Sequence, residues 1–84
     1  MSTLSSSELA RAVALLEKGD WQAAHKMVQE DEDSALACWA HGIVHLMEGD
    51  VSNARYWYRE AKRPFPKSPA AAQEIAQLRA ALRG

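Results

Sequence analysis

The sequence predicts an all-α fold: two antiparallel helix hairpins followed by a C-terminal capping helix, about five helices in a single domain. Three observations predict it. A unit repeats at a 30-residue offset, apolar residues recur at helical spacing on both sides of each turn, and no stretch alternates as a strand would. The repeat lays "LEKGDWQAAHKMVQE" (16–30) over "LMEGDVSNARYWYRE" (46–60). It pairs Leu16 with Leu46, Gly19 with Gly49, Asp20 with Asp50, Ala24 with Ala54 and Glu30 with Glu60.

Each element has a local reason. In the first helix Leu9, Ala12, Val13 and Leu16 make one apolar stripe. Gly19 ends it, because glycine takes the left-handed conformation that closes a helix, and Asp20 caps the next. Trp21, Ala24 and Val28 stripe the second helix, and "EDEDS" closes the first hairpin with Ser34 as cap of a third helix running to about Glu48. Gly49 and Asp50 repeat the turn. In the fourth helix Val51, Ala54, Trp57, Tyr58 and Ala61 fall within about 120° at 100° per residue, so Trp57 and Tyr58 face the core and Tyr56 points away. The prolines of "KRPFPKSP" forbid a continuous helix. They hold Phe65 extended, as an apolar plug between the fourth and fifth helices. Ser68 and Pro69 form a cap and first-turn pair for a last helix with Ala71, Ile75, Leu78 and Leu82 on one face, ending at Gly84. That helix covers a hairpin otherwise left exposed. The first unit spans about 5–31, the second about 35–66 and the cap about 69–83.

At 84 residues the chain forms one domain with a modest core. Its single cysteine, Cys38, permits no internal disulfide and suits a reducing cytoplasm. The opening "MSTLSSSELARAV" reads as neither a signal peptide nor a membrane anchor, so the expectation is a soluble cytoplasmic protein. A net charge of -1 gives no reason to expect nucleic acid. The charges are unevenly spread: residues 1–54 carry three Lys or Arg against nine Asp or Glu, and residues 55–84 carry seven against two. Such a dipole favours self-association or an oppositely charged protein partner.

The second unit resembles the tetratricopeptide repeat, with Gly42, Gly49, Ala54, Tyr58, Ala61 and Pro66 where that family has small, small, small, aromatic, small and proline. The resemblance implies right-handed superhelical stacking of the hairpins and a role in protein–protein contact. Residues 5–31 match it loosely, with Ala12 in place of the early glycine. The chain also resembles a group of small bacterial and fungal proteins, without known activity, marked by His-three-His, Glu-Gly-Asp, Asn-Ala and Tyr-Trp-Tyr-Arg. Here these are His41, His45, Glu48, Gly49, Asp50, Asn53, Ala54, Tyr56, Trp57, Tyr58 and Arg59.

Two constellations carry chemistry. Cys38, His41, His45 and Glu48 share one face of the third helix, within about 80° at 100° per residue. Histidines four apart on a helix hold transition metals, and packing of the second helix would add His25, so His25, His41, His45 and Glu48 form a candidate site for zinc or another divalent metal. The reading placed ahead of it is a packed core in which an imidazole simply bonds a backbone carbonyl or a tyrosine, with metal binding as the alternative. Gly42 sits where a metalloprotease helix would carry its glutamate base, so no catalytic motif is present. Cys38 is read as a core thiol, and Met27 and Met47 as gap-fillers. Asn53, Arg55, Tyr56, Arg59 and Arg63 form the second constellation, a candidate partner-binding face that could also take a phosphate or carboxylate. The functional expectation is a non-enzymatic interaction module, with a small metal- or ligand-binding protein as the alternative.

Overall fold

The computed structural model describes residues 3–68 and 70–83. They form five helices: α1 (Ser6–Glu17), α2 (Trp21–Val28), α3 (Ala35–Glu48), α4 (Val51–Glu60) and α5 (Ala71–Arg83). The all-α expectation holds. Among the described residues no helix is long and apolar enough to cross a membrane.

The caps follow the sequence closely. Ser5 and Glu8 make a reciprocal capping box at α1, and Asp20, Ser34 and Asp50 each accept a backbone N–H three residues on, opening α2, α3 and α4. Gly19 and Gly49 have φ of 85° and 90°, the left-handed geometry the two turns require. Their backbone bonding is the same in both repeats, with Asp20 N donating to Leu15 O and Asp50 N to His45 O. α5 begins at Ala71, where the carbonyl of Ala70 accepts from Glu74 N, two residues later than expected. Pro69 and Gly84 lie outside the described residues.

Leu16, Val13, Val28, Trp39, Ile43, Val44, Tyr58 and Leu78 fill the core. One member of the expected α4 stripe departs: Val51 is 46% exposed, because as the first residue of its helix it sits beside the turn and faces water. α3 runs through the middle and packs on every other helix. Its contact with α4 is close at Gly42, where an added Cβ would lie 2.6 Å from Tyr58 Cδ1. α5 packs its backbone on α1 and α3, the first helices of both hairpins, and reaches α4 only through side chains. It does not continue a stack beyond α4. The radius of gyration of 11.1 Å is below the roughly 12 Å of a compact chain of this length, so the five helices close on themselves as a rounded body.

Candidate metal centre

α2 and α4 both pack on α3, and the histidines converge on the side of α3 that they flank. His25 comes from the last turn of α2; His41 and His45 come from successive turns of α3. His25 Nε2 and His41 Nε2 are 3.2 Å apart. The three ring centroids stand 4.9, 5.1 and 5.3 Å from one another, and one ring nitrogen from each residue lies within 4.8 Å of the other two. His41 and His45 are 4% and 7% exposed, while His25 is half-buried and opens the cluster to solvent.

The surroundings hold these rings in place. Trp57 stacks on His41 with centroids 3.9 Å apart and planes at 10°. The close approach at Gly42 makes this stacking possible, since a larger residue would push α4 away. Glu48 Oε1 bonds His45 Nδ1 at 2.7 Å, which fixes that ring and leaves its Nε2 uncommitted. His41 Nδ1 is buried without a hydrogen-bond partner among the described residues. Burial first, and then neighbouring His25 and His45, hold the His41 imidazole neutral down to a pKa of about 3. A neutral ring is the form that ligates metal.

Of the four residues sharing a face of α3, Cys38 does not join the cluster. Its Sγ donates to Glu32 O in the loop before the helix, and burial followed by the acidic charges around it pushes its pKa up to about 11. A shared face is not a shared height: Cys38 lies one turn before His41 and two before His45, at the end of the helix next to the Glu32 loop. Glu48 approaches His45 as its hydrogen-bond partner. Glu48 and Asp50 also form, with His45, a second and more exposed donor group. Neither α3 imidazole bonds a backbone group or a tyrosine among the described residues.

The second constellation divides. Arg55, Arg59 and Arg63 line one open pocket of about 260 Å³ with Tyr58 and Phe65. Asn53 turns to Asp50, to which its Nδ2 donates at 3.2 Å. Tyr56 is 45% exposed and stands edge-on to Trp57. Phe65 packs edge-on against Tyr58 under the Arg55 guanidinium and remains half-buried.

Two buried acids escaped the sequence reading. Asp31, inside the acidic loop, accepts from the backbone N–H groups of Leu4, Asp33 and Ser34. Glu74 accepts from Trp39 Nε1 at 3.1 Å and Tyr58 Oη at 2.6 Å. For Glu74 a signal existed, since it falls inside the apolar stripe formed by Ala71, Ile75 and Leu78. No family model, curated protein or solved structure matches the chain.

Proposed function

We propose that this protein binds a divalent transition metal through His25, His41 and His45, with Glu48 orienting His45. The observation that carries the reading is the convergence of three imidazole nitrogens within 4.8 Å at a helix junction. Two nitrogens on a tetrahedral ion, each about 2.0–2.1 Å from it, stand roughly 3.3 Å apart. His25 Nε2 and His41 Nε2 are separated by 3.2 Å, so an ion replacing the shared proton needs little movement there. Three nitrogen donors without thiolate suit zinc, copper or nickel, and a carboxylate behind one histidine is the usual outer partner of such a ligand. The half-buried His25 leaves a coordination position toward solvent.

The test is thermal unfolding of metal-stripped protein with and without zinc. At about 100 times its dissociation constant, zinc adds about 2.7 kcal/mol, which raises the midpoint of a domain this size by about ten degrees or more. His25→Gln, at the most accessible ligand, abolishes the shift and keeps the helical spectrum. Glu48→Gln weakens zinc by about 10- to 100-fold. No saturable shift in the parent, or an equal shift in His25→Gln, overturns the reading. A second reading, a helix-hairpin module that contacts a protein partner or a second copy, draws on Tyr56, an exposed aromatic held by Trp57. Its check is sedimentation: a concentration-dependent mass that Tyr56→Ala removes supports it, and a constant monomer mass ends its self-association form.

A further inference from the structure

We infer that the pocket of Arg55, Arg59 and Arg63 binds the phosphate group of a small soluble phosphate monoester. The three arginines are four residues apart in sequence, so Arg55 and Arg59 rise on one face of α4, and Arg63 follows just beyond its end. All three line the same pocket. Among the described residues none of them forms an ion pair with a carboxylate; the two ion pairs present are His45–Glu48 and Arg79–Glu17. Like charges at this spacing repel unless an anion joins them.

Two of the three guanidinium groups are also held by stacking. Arg55 lies over the Phe65 ring at 4.7 Å, and Arg63 over the Trp39 ring at 3.4 Å. Pro64 and Pro66 flank Phe65, which limits how far that wall can move. A planar guanidinium held by stacking keeps its N–H fork free and loses little freedom when it binds an oxyanion. Tyr58 Oη points instead to Glu74, so the wall of Tyr58 and Phe65 offers rings and the arginines supply the donors. Arg63 also sits over the indole whose Nε1 donates to Glu74. Arg55 and Arg59 are the freer pair. A cavity of about 260 Å³ is smaller than the roughly 300–1,000 Å³ of drug-sized sites. It is large enough for a phosphate with a short body.

The experiment is calorimetric titration of the whole protein, at constant ionic strength, with glycerol phosphate, inorganic phosphate, acetate, and vesicles containing phosphatidic acid. Expected is saturable binding of glycerol phosphate, weaker binding of inorganic phosphate and none of acetate. Arg59 is exposed, so Arg59→Gln keeps the fold, checked by circular dichroism, and raises the dissociation constant about tenfold or more. Arg55→Gln does the same. Unchanged affinity in both folded variants overturns the proposal. So does binding only to the vesicles, or no preference for phosphate over acetate. The site is separate from the histidine cluster, so a His25→Gln protein binds glycerol phosphate as the parent does.

Discussion

Asp31 carries a charge in a place with no solvent, and three backbone donors account for it. Its side chain is fully buried and receives three backbone N–H groups, two from the turn into α3 and one from Leu4 ahead of α1. Burial pushes its pKa up, but the bonds from Ser34, Leu4 and Asp33 outweigh that and hold it below 3.8. A carboxylate whose folded pKa is lowered contributes stability that is full above its unfolded value and is lost as pH falls through the folded one. Asp31→Asn keeps an acceptor on one side only and sets an N–H₂ against Leu4 N. The expected loss is about 1–3 kcal/mol at pH 7 in a urea titration. The gap between parent and variant narrows below pH 3.8, where the parent also loses its charge. The acidic run "EDEDS" reads as a loop, and it is one. Which of its acids turns inward depends on Leu4, 27 positions away.

Among the helices, the C-termini show how a repeated rule acquires an exception. α1 and α3 close on Gly19 and Gly49, whose backbone geometry any other residue would strain. α4 closes in the same way, with Arg63 N bonding Tyr58 O, yet the left-handed position is held by Lys62 at φ 59°. A left-handed lysine costs about 1–2 kcal/mol relative to right-handed backbone. Lys62→Gly is expected to raise stability by about 1 kcal/mol, seen as a midpoint higher by several degrees in a thermal melt. An unchanged or lower midpoint shows that the lysine makes up its strain elsewhere. The turns at Gly19 and Gly49 were legible because the residue type names the conformation. The turn at Lys62 was not, since the prolines that follow forced the chain out of the helix without naming how.

For the whole molecule the decisive element is α5. It lies across α1 and α3, and Leu78 and Ile75 bury against both hairpins. Arg79 ties its outer side to Glu17 of α1 through two hydrogen bonds, an exposed pair of little energetic weight. Glu74 joins it inward to Trp39 of α3 and Tyr58 of α4. Glu74→Ala leaves two buried donors without an acceptor, at about 1–3 kcal/mol each. The prediction is a large loss of stability in denaturant unfolding and faster amide exchange throughout α5. Glu74→Gln, which retains an acceptor, stays nearer the parent. Equal stability of all three proteins would mean that apolar contacts alone hold α5. α5 thus covers the inner faces of the first helices of both hairpins and leaves α4, the histidine edge and the arginine pocket open.

Helix number, the two Gly-Asp turns, the caps at Asp20, Ser34 and Asp50 and most of the core stripes follow from short-range rules: spacing, capping and backbone preference act within about four residues and are therefore written in the chain. The same periodicity placed His41, His45 and Glu48 on one face, and the hairpin placed His25 nearby. Tertiary packing alone decided that Cys38 turns to Glu32, that Glu48 bonds His45, that Trp57 stacks on His41 and that Arg55, Arg59 and Arg63 share a pocket without Asn53 and Tyr56. It also decided that α5 folds back over α1. Those outcomes depend on which surfaces meet, and a helical pattern gives a residue's direction around its own axis but neither its height against a neighbour nor the identity of that neighbour.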